Sequence, residues 1–302
     1  MNQILRITLG LTLSCLIAGS VMGGVFIMTA KAKKHNEHMA VQETMLGLLG
    51  YSKRNPAPSD LQLYQIYRYV IDQGDGNKFL GYMIPLKKGD QVRYGLLGIT
   101  LDGQFKTFHQ LGISPEAALE ETERAAALKA ALTPSMSFTY ADETIVARLN
   151  GERLAYLLPG EFQGFKTFIK AMLALDPSFK VLGLEILEHE EDPGLGGDIV
   201  RPYFKNQFRG KSYQKLKELE VVKKPLPEEY LEILQSVKGS PSGKDLEKMQ
   251  EKWADQDIYA ITGATISSSA VTEGVKGMAR RFVHRIGVLD RVVASRDLPA
   301  AF

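Results

Sequence analysis

The sequence predicts an α+β fold, a single N-terminal transmembrane helix followed by a β-rich domain with flanking helices. Three observations carry that reading. Ile7 to Ala30 contains no charged residue. Short strand-like runs broken by Gly and Pro turns fill the middle of the chain. An amphipathic helical pattern lies close to the C-terminus.

The uncharged stretch spans 24 residues, roughly 36 Å as a helix, against a hydrocarbon core of roughly 30 Å. Gly19, Gly23 and Gly24 suit a close helix contact in lipid. A cleaved signal peptide is the competing reading, but its apolar region is ordinarily shorter. The one cysteine, Cys15, lies inside this segment, which excludes an intramolecular disulfide and Cys-ligated zinc or iron–sulfur sites. Lys31, Lys33 and Lys34 follow the span and Arg6 precedes it, so charge counting alone puts the large C-terminal part in the cytoplasm.

The 302 residues, 44% of them hydrophobic, are enough to bury a sizeable core. A net charge of +2, with no basic stripe interleaved with aromatics, gives no reason to expect nucleic acid. Glu37 to Gly50 reads as a short amphipathic helix, broken by Asn55-Pro56-Ala57-Pro58. Strand-like runs follow at Leu63 to Ile71, Phe79 to Ile84 and Tyr94 to Thr100. The turn Leu101-Asp102-Gly103-Gln104 joins the last of these to Phe105 to Leu111.

A shift of 74 residues aligns Leu80-x-Tyr82 with Leu154-x-Tyr156, Pro85 with Pro159, and Phe105-Lys106 with Phe179-Lys180. This suggests a duplicated β-rich half-domain, with chance similarity of two meanders as the alternative. Between the copies, Ser114 caps and Pro115 opens a helix of strong formers, Ala117 to Leu132. Residues 205–253 are charged and proline-punctuated, with one helix starting at Pro227 and another over Asp245 to Trp253. They read as a solvated surface excursion. The last helix runs from about Ser268 to Ile286, its apolar face made by Val271, Val275, Met278, Phe282 and Ile286.

Immediately before that helix stands Thr262-Gly263-Ala264-Thr265-Ile266-Ser267. Small residues let backbone close on a ligand, hydroxyls offer hydrogen bonds or an attachment point, and a helix N-terminus favours phosphate. A plain capped loop explains the same residues structurally. With Asp257 upstream, the stretch resembles the flavinylation motif, (S/T)-G-A-T-x-(S/T), of the FMN-binding domain family. His189-Glu190-Glu191-Asp192-Pro193-Gly194-Leu195-Gly196 resembles the H-x-E-T-P-G-L-G segment found upstream in the same family.

The resemblance implies FMN joined by a phosphoester bond to Thr265. It implies a flavin pocket built from Thr262, Gly263, Ala264, Ser267 and Ser268 on one side, and Glu191, Asp192, Gly194, Leu195 and Gly196 on the other. The N–H groups around Ser267 and Ser268, with the Ser267 hydroxyl, would offset the phosphate charge. Asp192 stands where the family usually has Thr, and an ionised carboxylate close to the flavin would lower its potential. His189 is expected to hydrogen-bond within its loop. A threonine hydroxyl without an adjacent base is a poor nucleophile, so the resemblance also implies an external flavin transferase, recognising Asp257. No catalytic residue and no protein-bound metal is expected.

The family includes the G subunit of the Rnf ion-translocating electron-transport complex and the C subunit of the sodium-pumping NADH:quinone oxidoreductase. The motifs do not separate these two. A membrane-tethered binding module without a redox role is a third reading. The resemblance implies other complex subunits and membrane lipid as partners. It also puts the flavin domain on the extracytoplasmic side, against the charge count. The domains expected are an anchor over 1–34, a first α+β region over 35–136, and the FMN-binding domain over 137–302.

Overall fold

The computed structural model describes residues 3–74, 76–89, 91–236 and 252–302. It has two units, Met1–Gly47 and Leu48–Phe302. The first is helical: α1 runs unbroken from Gln3 to Leu48, and its stretch Leu5–Phe26 is long and apolar enough to cross a membrane, with none of that window buried. The separate amphipathic helix expected over 37–50 is instead the end of α1. Between Ala30 and Val41 no Gly or Pro interrupts the chain, so nothing stops helix propagation.

The second unit is built on an eight-stranded antiparallel sheet. Its strands are β1 (Gln62–Asp72), β2 (Lys78–Lys88), β3 (Gln91–Ile99), β4 (Phe105–Gln110), β5 (Ser137–Leu149), β6 (Glu152–Gln163), β7 (Phe168–Leu175) and β8 (Val181–Glu188), in the order β4-β3-β2-β1-β5-β6-β7-β8. Each half is a four-stranded meander, and the halves join along β1 and β5.

The pairing register gives the repeat its true offset. Leu80 pairs with Ile99, and Tyr156 with Leu175, each 76 residues on. Both meanders shift register at the same place, between Gly98 and Ile99 and between Ala174 and Leu175. The turns agree as well. Thr100 N–H donates to Gln104 O and Asp176 N–H to Lys180 O. Gly103 and Phe179 both occupy the left-handed region, at φ +84° and +66°. The identities aligned at 74 residues are therefore out of register with the strands. A two-residue slip preserves which face a side chain points to, so the apolar pattern tolerates it.

Strand alternation gives the sheet two apolar faces. On one, Tyr67, Tyr69, Phe79, Met83, Tyr94 and Leu96 pack with Ala118, Leu128 and Leu132. The helix expected there is two, α2 (Pro115–Ala118) and α3 (Glu121–Ala131). Arg124 stabilises the break. Its buried guanidinium donates to Ala118 O at 2.7 Å and Leu119 O at 3.0 Å, and lies 4.1 Å from the Tyr67 ring centre. On the other face lies the long C-terminal helix. Between β8 and that helix the described segments include, in chain order, α4 (Pro202–Lys205), α5 (Tyr213–Glu218), β9 (Val221–Val222), α6 (Glu228–Ser236) and β10 (Ile258–Tyr259), with β9 and β10 paired in parallel. The C-terminal helix itself is α7, Thr265–Ser295, longer at both ends than the sequence pattern indicated.

The solvated excursion expected over 205–253 is corrected in its described part. Phe208, Leu216 and Leu219 are buried in the same core as Val271, Val275 and Phe282, and Tyr230, Ile233 and Leu234 are buried too. Most of the charged residues between them sit on the outer side of short amphipathic pieces, but Lys211 is buried. The helix expected over Asp245 to Trp253 lies, but for its last two residues, outside the described residues.

Candidate functional site

The site forms where three loops meet. Strand β10 runs into Ala260-Ile261, and the chain then turns sharply through Gly263, whose φ of +80° suits glycine. Ser268 locks this turn from within α7: its hydroxyl accepts from Ile261 N–H at 3.0 Å and donates to Ala264 O at 2.9 Å. Its own N–H bonds Ala264 O at 3.0 Å. The side chain and N–H of Ser268 are thus committed to the loop, which corrects the expected use of that N–H in offsetting a phosphate. Helix α7 begins at Thr265 with Ala264 as N-cap and no side-chain cap bond. The first-turn N–H groups of Thr265, Ile266 and Ser267 have no intrahelical carbonyl, so the positive end of the helix is left open.

Opposite stands the Glu191–Gly196 loop. Glu191 is 4% exposed and has no cationic partner among the described residues. One carboxylate oxygen accepts from Phe165 N–H at 2.8 Å and Lys166 N–H at 3.2 Å. The other accepts from the Ser267 hydroxyl. Ser267 is therefore the clasp between the two motifs, which corrects its expected role as a phosphate donor. Gly196 is required by this clasp: a Cβ there would lie 2.5 Å from Ser267 Oγ and 2.7 Å from Glu191 Oε2. His189 Nδ1 accepts from Glu191 N–H at 3.2 Å, the within-loop bond expected of it.

The third wall was not read from the sequence. Gly164, Phe165 and Lys166 form the β6–β7 turn and reach Glu191 across more than twenty residues of chain. Gly164 leaves room for the carboxylate, since a Cβ would meet Glu191 Oε1 at 2.5 Å and Thr167 O at 2.8 Å. The signal available was only the turn composition of Gln163-Gly164-Phe165-Lys166.

These walls enclose a cavity of about 280 Å³ lined by Phe165, Glu191, Asp192, Leu195, Gly196 and the run Gly263 to Ser267. The cavity therefore brings together eight of the twelve residues the sequence singled out, Thr265 among them. Thr262 and Gly194 are exposed beside it and outside its lining. Phe165, Leu195 and Ile266 are 55%, 46% and 61% exposed, an apolar rim around a polar floor.

Asp192 lines the cavity too, but its carboxylate is ion-paired with the Lys166 ammonium. Each is about half exposed. That pair offsets the lone negative charge expected from the departure at this position. Asp257 lies away from the cavity. Its carboxylate accepts from Lys215 Nζ at 2.7 Å and Glu220 N–H at 3.2 Å, pinning β10 beside β9. Burial works against its charge, yet Lys215 and the Glu220 N–H hold the carboxyl below the ordinary range.

The residues present fit a flavin phosphate. The threonine hydroxyl, the open helix end, the glycine-thinned walls and the apolar rim are the parts such a group requires.

Comparison with known proteins agrees with that chemistry. Residues 164–280 match the FMN-binding domain family. The chain is 32% identical over 130 residues to the G subunit of the proton-translocating ferredoxin:NAD(+) oxidoreductase complex of Clostridium ljungdahlii, covering 43% of this chain and 54% of that protein. It is 28% identical over 134 residues to the G subunit of the Na(+)-translocating ferredoxin:NAD(+) oxidoreductase complex of Acetobacterium woodii, covering 44% and 51%. The chain thus spans about half the length of the curated relatives it matches. The crystal structure of Shewanella oneidensis NqrC aligns with 48% of this chain and 57% of its own, at 19% identity and a TM-score of 0.34, an overlap too small to carry weight.

Proposed function

We propose that this chain, whose residues 164–280 match the FMN-binding domain family, is a membrane-anchored subunit of an ion-translocating electron-transport complex and holds FMN by a phosphoester bond to Thr265. The two curated relatives are G subunits of translocating ferredoxin:NAD(+) oxidoreductase complexes, which favours the Rnf-type assignment. The observation that carries the reading is the position of Thr265, the first residue of an uncapped helix, on a cavity whose opposite wall is the second motif.

Bound FMN supplies one- and two-electron redox chemistry; the chain supplies position and charge. The first-turn N–H groups of α7 would hold the phosphodiester, since the helix dipole favours negative charge there. Glu191 and Ser267 hold the two motif loops at fixed separation, and Phe165, Leu195 and Ile266 give the flat ring an apolar rim. Tethering keeps the cofactor from dissociating.

No base lies beside the Thr265 hydroxyl in the sequence, so a flavin transferase installs the group, with Asp257 as its recognition residue. The Lys215 bond keeps that carboxylate ionised and fixed beside β9. Helix α1 is the anchor and the flavin domain is extracytoplasmic. The remaining complex subunits are the electron donors and acceptors.

The test is direct. Produced with a flavin transferase and run on a denaturing gel, the wild-type chain gives a fluorescent band, and its intact mass includes one FMN. Thr265→Val abolishes both while the protein still folds. A dark wild-type band favours the binding module, and fluorescence that survives Thr265→Val assigns the wrong residue.

A further inference from the structure

A cavity larger than the one at Thr265 lies elsewhere in the second unit. It measures about 700 Å³ and opens between α7 and the sheet, lined by Arg68 from β1, Asp142 from β5, Leu158 from β6, and Met278, Arg281 and Arg285 from α7, among others. Arg281 is sixteen residues beyond Thr265, roughly 24 Å along the helix at 1.5 Å per residue. An FMN held at Thr265 does not reach it, so this cleft is separate from the proposed flavin site and does not depend on it.

Three arginines line it, Arg68, Arg281 and Arg285, with the Asp142 carboxylate between two of them. Arg68 binds Asp142 through two bonds, Nε to Oδ1 at 2.9 Å and Nη2 to Oδ2 at 2.6 Å. Arg285 shares the same carboxylate through a single nitrogen, so two partly buried guanidinium groups are neutralised by one aspartate. One turn earlier on α7, Arg281 has no hydrogen-bond or ion-pair partner among the described residues. Burial and the Arg68 charge outweigh Asp142 at Arg285 and hold it below the ordinary guanidinium range.

Lys170 on the rim is already paired with Glu188. Two further carboxylates border the cleft, Glu143 and Glu161. Burial pushes the Glu143 carboxyl up, toward its neutral form. A guanidinium with donors to spare in a fixed fork, as at Arg281, is what binds a carboxylate or phosphate.

The remaining wall is apolar. Leu158, Ala171, Met278 and Phe282 are buried side chains that belong to the main core. Gly160 keeps this wall thin, because a Cβ there would come within 2.9 Å of Met278 Cε. A volume in this range is common among small-molecule sites, and here charged groups share the lining with the apolar wall.

We propose that this cleft binds an amphiphilic anion, a carboxylate or phosphate head on Arg281 and Arg285 with its apolar arm against Met278 and Phe282. The head chemistry is common to a soluble acid and to a lipid headgroup. The full chain in a non-ionic detergent is titrated calorimetrically with hexanoate, hexyl phosphate, hexylamine and dihexanoyl phosphatidic acid at fixed ionic strength. The anions bind and hexylamine does not. Arg281→Glu, an exposed position that does not disturb folding, weakens the anions at least tenfold. Saturation by phosphatidic acid with weak hexyl phosphate binding identifies the lipid source, and the reverse a soluble ligand. Equal binding of hexylamine and hexanoate, no binding of any anion, or an Arg281→Glu protein that binds as wild type overturns the proposal.

Discussion

At the residue scale the cavity at Thr265 is governed by two carboxylates in adjacent positions with opposite surroundings. Glu191 is buried and takes three donors, so its charge is absorbed by the loop. Asp192 is half exposed and depends on Lys166. With the bond to Asp192 as the main cause and nearby carboxylates adding to it, the Lys166 ammonium is pushed up and stays charged at neutral pH. A charge beside a flavin shifts its potential in the direction of that charge. Lys166→Met leaves Asp192 unopposed and lowers the midpoint potential. Asp192→Thr frees the ammonium and raises it, and the double variant returns close to wild type. Spectroelectrochemistry of the three proteins measures this, and single variants that move the potential the same way refute it. Because the pair is exposed, neither change costs much stability.

At the scale of elements, α7 does two things at once: its N-terminus opens on the cavity, and its length covers one face of the sheet. The fit is tightest at Gly274, where a Cβ would lie 2.3 Å from the Phe162 ring. Gly274→Ala forces helix and sheet apart and costs about 1–3 kcal/mol, read from the denaturation midpoint.

The turn that leads into β10 is held by Lys211, whose buried ammonium donates to the carbonyls of Trp253, Ala254 and Gln256. Burial, with Lys215 adding to it, brings its pKa down to about 8, while Asp257 and Asp255 oppose the shift. An unfolded lysine titrates near 10.4. Between those values the unfolded chain binds more protons, so this residue makes stability rise with pH from about 8 to about 10.5. Denaturant midpoints at pH 7 and 10 show that rise, and Lys211→Met removes it.

How much of this was legible follows from the kind of signal each element leaves. The two motifs are contiguous, so their residues announced themselves. The Gly164–Lys166 wall meets them only through sheet pairing, and a four-residue turn carries no mark of its distant partner. The same holds for Ser267 and Ser268. The Ser267 hydroxyl and the N–H of Ser268 looked like phosphate donors, but the first bonds Glu191 and the second Ala264, while the Ser268 hydroxyl holds Ile261 and Ala264. The repeat was visible as pattern and misplaced in register, since strand alternation is unchanged by a two-residue slip.

For the whole molecule, with α1 as the proposed anchor, the question is which side of the membrane the sheet unit occupies. Lys31, Lys33 and Lys34 against Arg6 is a small charge difference, and large domains translocate largely regardless of it. A tethered flavin is most useful where free cofactor is scarce, which argues for the outer side. A cysteine probe decides it. Cys15, in the proposed span, is replaced by Ser, and Asp102, in an exposed turn of the sheet unit, by Cys. In intact spheroplasts a membrane-impermeant maleimide labels this protein fully, with no gain on lysis. Labelling that appears only after lysis puts the domain in the cytoplasm, as the charge count would have it. The same cells test the anchor, because the full chain stays in the carbonate-washed membrane pellet. A chain beginning at Leu48, the first residue of the sheet unit, moves to the supernatant. If it stays in the pellet, the sheet unit itself holds the membrane and α1 is not what keeps it there.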